Sequence, residues 1–268
     1  MPTEKQRRQA AQRHLQKQLE RRAEQTRRRR RTLGIVATVV SVLVVVGAVV
    51  LLTGVLGGDD PTDTAADSAP RGDTVSCDYL PDESGNTNLT DVGTPPDPES
   101  TPAKGTTTLL MSTGQGDLTL TLDREKAPCA AASFSYLAGQ QFFDGSPCHR
   151  MVNGESFGVL QCGDPSGTGQ GGPTYKYAEE VTPETTYPRG TIAMAKSSAP
   201  NSTGSQFFLV FTDAQLSPDY TVVGTIDEAG LAVLDQIAAA GNDGSLEPSP
   251  GGGKPNVPVV IESMTVVS

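Results

Sequence analysis

The feature that most constrains this chain is an uncharged segment of 24 residues, Leu33 to Leu56, made mainly of Val, Leu, Ala and Gly. Five consecutive arginines, Arg27 to Arg31, come just before it. A helix needs about 20 apolar residues to cross a hydrocarbon layer about 30 Å thick, so this segment is long enough to span a membrane. The apolar core of a signal peptide is shorter, at about 7–15 residues. We therefore predict a transmembrane helix over residues 33–56.

The arginines also predict the orientation of this helix. Cytoplasmic flanks of membrane spans carry an excess of Lys and Arg, so residues 1–32 should be a cytoplasmic tail and all residues after 56 should lie outside. The alternative is a cleaved signal peptide, but no clear small-residue cleavage site follows Leu56. The predicted location is the cell membrane, with a single span and an extracytoplasmic domain.

Charge divides the chain at the same place. Residues 1–31 contain 12 Lys and Arg against 3 Glu, whereas the rest of the chain contains 9 Lys and Arg against 28 Asp and Glu. A basic tail beside a membrane span is attracted to anionic lipid head groups. Nucleic-acid binding is the competing interpretation of a basic run. We predict the lipid bilayer as the partner of residues 33–56 and no nucleic-acid partner.

The remaining sequence divides into a linker and one domain. Residues 57–104 are rich in Asp, Thr, Pro, Ser and Gly, a composition that predicts a disordered, extended acidic linker. Within it, Cys77 and Tyr79 are the only signs of a contact with folded structure. Residues 105–268 are numerous enough for one globular domain with its own core.

Residue patterns predict that this domain is mainly β. Thr106 to Thr113 and Asp117 to Asp123 are β-branched or apolar runs that flank Gly114-Gln115-Gly116, which is a hairpin signal. Ala-rich segments with helix start and stop signals predict two helices. These helices are expected at 127–138 and 229–240, and further strands at 147–152, 157–162, 190–196, 206–211, 220–226 and 257–267. Many short strands with two helices predict a closed barrel with helices over its ends.

The cysteines agree with an external location. The four are Cys77, Cys129, Cys148 and Cys162. An even number outside the membrane predicts two disulfides, with three possible pairings. The alternative is that some are free and buried as small apolar side chains. No CxxC pair is present and His occurs only twice, so a zinc site is not predicted.

Strand alternation limits the pairing of these cysteines. If Arg150 and Gln161 share one face of a strand pair, alternation places Cys148 on that face and Cys162 on the opposite one. Cross-strand disulfide partners must share a face. We therefore predict that these two cysteines do not pair with each other, and that each pairs with one of the two earlier cysteines.

Two segments carry polar residues inside otherwise apolar strands. The first contains Cys148-His149-Arg150 and Gln161-Cys162-Gly163-Asp164, and the second contains Met194-Ala195 and Ala199 to Phe208. Alternation places Phe207, Leu209 and Phe211 on one face of the last strand. This apolar face fits a barrel interior. The opposite face, with Gln206, Phe208 and Val210, fits a half-polar groove on the outside.

Together these segments resemble the cyclophilins, a family of peptidyl-prolyl cis-trans isomerases. The resemblance covers residues 106–267. The family motif FHR-(x)-QGGD is matched by Cys148-His149-Arg150 and Gln161 to Asp164, and MA…GPNTNGSQFF by Met194-Ala195 and Ala199 to Phe208. The resemblance implies an eight-stranded antiparallel barrel capped by two helices, and an activity that needs no metal or cofactor.

The resemblance also implies the site residues. Rotation about an amide bond costs about 18–20 kcal/mol because of resonance. By resemblance, Arg150 donates a hydrogen bond toward the prolyl nitrogen as it becomes pyramidal, and Gln161 places the arginine and the substrate carbonyl. An always-charged donor fork suits this task. The implied substrate-binding residues are Phe157, Val159, Lys196, Ser197, Gln206, Phe208, Leu216 and Tyr220.

Several positions depart from the family pattern. The chain has no Trp, and Gln215 is the nearest match to the family's Trp at the pocket mouth. Tyr220 replaces the pocket His. Gly158 occupies the place of a pocket Phe, with Phe157 one position away. The segment 196–199 is one residue longer than in the family. These departures bear on substrate range and cyclosporin affinity.

We therefore predict an isomerase that acts as a monomer on proline-containing polypeptides and assists the folding of secreted or envelope proteins. The alternative is a non-catalytic module that binds proline peptides. A third hypothesis is a structural β-domain in envelope assembly. Arg150 beside Gln161 argues against this third hypothesis, because a purely structural domain does not need this pair.

Overall fold

The computed structural model describes residues 72–154 and 156–267, which belong to one compact unit, Ser68–Ser268. The predicted cytoplasmic tail and the predicted membrane span at 33–56 lie outside the described residues. Among the residues that are described, no helix has the length and apolar character needed to cross a membrane.

The described residues form fourteen strands, two α-helices and one short 3₁₀ helix, Pro98–Ser100. The strands are β1 (Thr74–Val75), β2 (Leu80–Pro81), β3 (Leu89–Thr90), β4 (Thr101–Pro102), β5 (Thr106–Thr113), β6 (Gly116–Asp123), β7 (Arg150–Gly154), β8 (Phe157–Cys162), β9 (Gly172–Pro173), β10 (Tyr175–Lys176), β11 (Thr191–Met194), β12 (Phe207–Thr212), β13 (Val222–Ile226) and β14 (Ile261–Val266). The helices are α1 (Pro128–Gly139) and α2 (Glu228–Ala240). The strands and helices predicted within 105–268 are confirmed, with shifts of a few residues at their ends.

Eight strands form one antiparallel sheet in the order β14-β5-β6-β13-β11-β12-β8-β7. The period-two pattern of β6 explains its place in this sheet, because Leu118, Leu120 and Leu122 are all fully buried on one face. Neighbouring strands approach closely at Gly224, where any side chain would overlap the carbonyl of Thr121. The sheet therefore requires glycine at this position of β13.

The prediction of a closed barrel is wrong, because the sheet is curled but open. Its edge strands, β14 and β7, are not joined by a ladder. The segments that precede β7 and β14 meet at an isolated bridge between Pro147 and Val260, flanked by hydrogen bonds from the N–H of Cys148 to the carbonyl of Val259 and from the N–H of Ile261 to the carbonyl of Ser146. The outer edge of β7 is paired instead with a loop, since the N–H of Met151 donates to the carbonyl of Gly253 at 2.7 Å.

Both helices pack against this sheet and extend its core. The ring of Phe134 on α1 lies 4.8 Å from that of Phe207 on β12, centroid to centroid. The first free N–H groups of α1, from Cys129 and Ala130, donate to the carboxylate of Glu180 at 3.0 and 2.9 Å. A carboxylate at this position also interacts favourably with the helix dipole. Helix α1 is thereby fixed at both its face and its beginning.

Residues 72–104 differ from the disordered linker that composition predicted. Strands β1, β2 and β3 pair with β4, β10 and β9, and a disulfide joins Cys77 to Cys129 of α1. The ring of Tyr79 packs edge-on against those of Tyr175 and Tyr177, and its hydroxyl donates to the carbonyl of Cys129 at 2.8 Å. The segment is therefore part of the folded unit, because partners elsewhere in the chain supply the burial that it lacks alone.

The two disulfides are Cys77–Cys129 and Cys148–Cys162. Oxidation of all four cysteines was predicted, but the predicted pairing is wrong. The ladder between β7 and β8 begins at Arg150, so strand alternation does not extend back to Cys148. There the backbone N–H donates to the carbonyl of Val259, outside this ladder, and the side chain turns into the core beside Cys162.

Candidate functional site

The sheet register places three of the predicted site residues in one row. Arg150 on β7 lies opposite Gln161 on β8, and Gln161 lies opposite Phe208 on β12. Directly opposed residues in an antiparallel pair project from the same face. The opposite face carries Phe207 and Leu209, which are fully buried in the core. The predicted division of β12 into a core face and a groove face is confirmed.

A chain of hydrogen bonds fixes the polar side chains of this row. Nη1 of Arg150 donates to Oε1 of Gln161 at 3.0 Å. Nε2 of Gln161 donates to Oε1 of Gln206 at 2.9 Å, and Nε2 of Gln206 donates to the carbonyl of Gly171 at 2.9 Å. Each amide is thereby held in one orientation. The arrangement keeps Gln161 as an acceptor toward the guanidinium.

The guanidinium of Arg150 keeps its positive charge without a carboxylate partner. Burial lowers the pKa of Arg150 from its usual value, and the nearby carboxylate of Glu247 acts in the opposite direction. None of the ion pairs formed within 72–154 and 156–267 involves Arg150. An arginine remains charged at physiological pH in either case. The site therefore presents an unneutralised cation beside an apolar surface.

That apolar surface belongs to a cavity of about 380 Å³, a size typical of ligand sites. The ring of Tyr220 contacts that of Phe208 edge-on, with centroids 5.5 Å apart. The hydroxyl of Tyr187 donates to the carbonyl of Tyr220 at 3.0 Å and accepts from its N–H at 2.9 Å. These two hydrogen bonds with Tyr187 fix the backbone of Tyr220. The cavity can accept a ring of the size of proline.

A second cavity of about 650 Å³ adjoins the first and shares Gln161, Gln170 and Lys196 with it. One wall comes from residues 82–89, which precede the predicted domain. Nδ2 of Asn86 donates to the carbonyl of Gln170 at 2.6 Å and ties this wall to the rim of both cavities. The N-terminal segment therefore shapes the surface available to a bound peptide.

The structure brings the predicted site residues to these two cavities. The smaller cavity is lined by Arg150, Gln161, Phe157, Val159, Lys196, Phe208, Leu216 and Tyr220, and the larger by Gln161, Lys196, Ser197 and Gln206. Sequence reasoning missed His149, Tyr187, Leu246, Pro250 and the 82–89 wall. A signal was present for His149, which adjoins Arg150 in the motif, and for the wall, which follows Cys77.

Phe157 reaches the smaller cavity because of an irregularity in β12. The pairing of β12 with β8 shifts between Val210 and Thr212, opposite Gly158. A side chain at Gly158 would lie 2.6 Å from Cβ of Thr212 and 2.7 Å from the ring of Phe211. Glycine is therefore required there, and the preceding phenylalanine supplies the aromatic group to the cavity.

His149 lies beside Arg150 at the rim of the smaller cavity. Burial lowers the pKa of His149, and the carboxylate of Asp164 opposes that effect. Nδ1 is buried with no hydrogen-bond partner in the described part of the chain. A neutral imidazole is therefore favoured at physiological pH, and Arg150 carries the positive charge of the cavity.

The loop after β8 is held by Asp164, whose side chain is fully buried. Its carboxylate accepts hydrogen bonds from N and Oγ of Ser166 and from N of Gly169, at 2.8, 2.6 and 2.6 Å. Burial alone would raise the pKa of Asp164, but these hydrogen bonds outweigh it and hold the pKa below its usual value. The same loop supplies Gly169 and Gln170 to both cavities.

We expect Asp164→Asn to lower the free energy of unfolding at pH 7 by about 1–3 kcal/mol, because backbone donors lose their charged acceptor. A carboxylate with a depressed folded pKa stabilises fully above its unfolded pKa of about 3.9, and this contribution is lost as pH falls through the folded value. Urea unfolding of both proteins from pH 7 to pH 3 measures the difference. A difference that stays constant below pH 4 would contradict the assignment.

Comparison with known proteins identifies the family to which this arrangement corresponds. Residues 108–266 match the model of the family described as cyclophilin type peptidyl-prolyl cis-trans isomerase/CLD. The chain is 45% identical over 171 residues to a probable peptidyl-prolyl cis-trans isomerase B of Mycobacterium leprae, covering 59% of this chain and 56% of that protein. It thus spans little more than half of that relative. It is 33% identical over 178 residues to peptidyl-prolyl cis-trans isomerase A of Mycobacterium tuberculosis, covering 60% of this chain and 92% of that protein.

Solved structures give the same result. A cyclophilin-type isomerase of Cryptosporidium parvum, determined in the presence of the dipeptide Ala-Pro, matches with a TM-score of 0.51 and 27% identity. The match covers 60% of this chain and 99% of that chain. A second structure of the same protein matches with a TM-score of 0.53 and 26% identity, covering 61% and 99%.

Proposed function

The chain belongs to the cyclophilin-type peptidyl-prolyl cis-trans isomerase family, and from this membership we propose that its folded domain catalyses the cis–trans isomerisation of X–Pro peptide bonds. One observation carries the proposal: the charged guanidinium of Arg150 lies at the wall of an apolar cavity formed around Phe208. The cavity holds the proline ring while the guanidinium of Arg150 interacts with the X–Pro bond that rotates.

Arg150, Gln161 and Phe208 together favour the twisted X–Pro bond over the planar one. Twisting breaks amide resonance, so the prolyl nitrogen becomes pyramidal and gains a lone pair that can accept a hydrogen bond. Arg150 donates to this nitrogen, an interaction that the planar amide cannot offer. Only interactions that strengthen in the transition state speed the reaction. Gln161 holds the guanidinium in place, and Phe208 retains the ring.

A refolding experiment tests this proposal. Refolding of a secreted protein that waits on X–Pro isomerisation shows a slow phase of tens to hundreds of seconds. The full chain, solubilised in detergent, should shorten that phase in catalytic amounts and leave faster phases unchanged. An unaltered slow phase, despite binding of the refolding protein, would favour the alternative of a non-catalytic proline-binding module.

We also propose that the domain is anchored to the cell membrane and works outside it, as a monomer, on secreted or envelope proteins. The uncharged segment 33–56 and the arginines before it support an anchor that interacts with the lipid bilayer. The two disulfides support an oxidising compartment.

Protease added to intact spheroplasts should therefore remove the domain at 105–268 and spare the basic tail. The reason is that only the domain lies outside the membrane in the proposed topology. Antibodies against each end of the chain would follow the products. Recovery of a soluble mature form that begins near Gly57 would instead show a cleaved signal peptide.

A further inference from the structure

A loop of the chain itself, residues 246–252, contacts the guanidinium of Arg150. Nε of Arg150 donates to the carbonyl of Gly251 at 3.0 Å, and Nη2 donates to the carbonyl of Pro250 at 2.8 Å. Leu246 and Pro250 also line the smaller cavity. The loop therefore touches both the cation and the space in which the proline ring would bind.

Hydrogen bonds within the loop fix the positions of the carbonyls of Pro250 and Gly251. The N–H of Gly251 donates to the carbonyl of Leu246 at 3.0 Å, and the N–H of Leu246 donates to the carbonyl of Gly252 at 3.0 Å. The carboxylate of Glu247 accepts from the N–H of Gly252 at 2.6 Å. The side chain of Glu247 thereby closes the loop at Gly252, next to the residue that contacts Arg150.

The loop is also docked on β7. Gly252 has a φ of +75°, a conformation that L side chains rarely adopt, and a side chain there would overlap the carbonyl of Met151. Gly253 and Met151 exchange two backbone hydrogen bonds, of 2.7 and 3.0 Å. Arg150 is the next residue along β7. The loop and the arginine are consequently held against the same strand.

This arrangement leaves the guanidinium free to act on a substrate. A guanidinium has five N–H donors. Three of them donate to Gln161, Pro250 and Gly251, so one N–H on each terminal nitrogen remains. Carbonyls hold the group without cancelling its charge. The carboxylate of Glu247 is bonded to the backbone rather than to Arg150, and it acts on the cation only from a distance.

We propose that the loop 246–252 is a positioning element for Arg150, and that Glu247 is the side chain that keeps the loop in its positioning form. This inference rests on the proposed function, because it assigns the loop to the group that drives isomerisation. The carbonyls of Pro250 and Gly251 orient the guanidinium in advance, so that its two remaining N–H donors keep fixed directions. Misplacing a catalytic group by about 1 Å can cost about 10²-fold in rate.

The test compares Glu247→Ala with Glu247→Gln in the full chain, since glutamine keeps an oxygen that can accept from Gly252. We expect Glu247→Ala to lower kcat for an Ala-Pro peptide about 10- to 100-fold with little change in KM, and Glu247→Gln to recover most of the rate. The exposed Glu184→Ala is the matched control and should behave as the wild type. Rates are compared at a temperature at which thermal melts show every variant folded.

A second readout does not depend on catalysis. The Nε–H proton of Arg150 should exchange slowly with solvent in the wild type, because it is bonded to Gly251, and faster in Glu247→Ala. Unchanged exchange in that variant would overturn the inference, even if the wild type proved inactive. An unchanged kcat, or a rise in KM alone, would also overturn it, because the loop would then shape the cavity without positioning the arginine.

Discussion

Replacing Arg150 with alanine should lower kcat/KM for isomerisation about 10²- to 10³-fold, the usual effect of removing one preorganised donor. The donor acts on a lone pair that exists only in the twisted bond, so its loss raises the barrier and leaves peptide binding largely intact. Exchange cross-peaks between the cis and trans signals of an Ala-Pro peptide measure the rate.

Two comparisons separate this effect from a loss of folding or binding. Arg150→Lys keeps the charge but lacks the planar fork that bonds Gln161, Pro250 and Gly251 together, so it should remain strongly impaired. Phe208→Ala should chiefly weaken peptide binding, through lost apolar contact. Thermal melts should show that the Arg150 variants are still folded at the temperature of the assay. Equal rates for wild type and Arg150→Ala would refute the catalytic role.

Removing the disulfide between Cys77 and Cys129 should lower the free energy of unfolding by about 4 kcal/mol. The two cysteines are 52 positions apart, and cross-linking a segment of that length strongly restricts the unfolded chain. Equilibrium unfolding of Cys77→Ala/Cys129→Ala in urea measures the change. The variant should also loosen residues 82–89, the wall of the larger cavity.

The second disulfide supplies the matched control. Cys148 and Cys162 are only 14 positions apart, so Cys148→Ala/Cys162→Ala should cost about 3 kcal/mol and leave the 82–89 wall in place. Proteolysis between residues 82 and 89 would distinguish the two variants. Faster cleavage in the Cys148 and Cys162 variant than in the other would contradict this account of the N-terminal segment.

The alternation of apolar and polar residues predicted most of the strands of the domain, because side chains on a regular strand alternate between its two faces. The alternation of Leu118, Leu120 and Leu122 places β6 with one face in the core. The same rule assigned Phe207 to the core and Phe208 to the groove. Where a side chain lies on a regular strand, its neighbours two positions away determine its face.

The failures occurred where regular structure ends or where distant partners intervene. Cys148 lies before the ladder of β7, so its orientation follows from contacts with the segment around Val259 rather than from alternation. The composition of residues 72–104 wrongly predicted disorder. Composition describes a segment alone and carries no information on the strands and the disulfide that connect it to the rest of the domain. The sheet stays open, and the outer edge of β7 pairs with the loop at Gly253 instead of with β14, a long-range contact that local patterns do not reveal.

The part of the site that sequence could not predict is built from backbone atoms. The carbonyls of Pro250 and Gly251 bond to Arg150, but any residue type supplies a carbonyl. Only the folding of the loop around Glu247 and Gly252 gives these oxygens their positions. Side-chain motifs identified Arg150 and Gln161, whereas the groups that hold them from the other side required the structure.

The catalytic role of this site is tested most directly by the cis–trans exchange of an Ala-Pro peptide, followed by NMR in the presence of a small fraction of the full chain. Uncatalysed exchange takes tens to hundreds of seconds, too slow for cross-peaks between the two isomers. Cross-peaks should grow with the amount of chain and fall sharply with Arg150→Ala. Peptide signals that shift on binding, with no exchange cross-peaks at any concentration of the wild type, would contradict it.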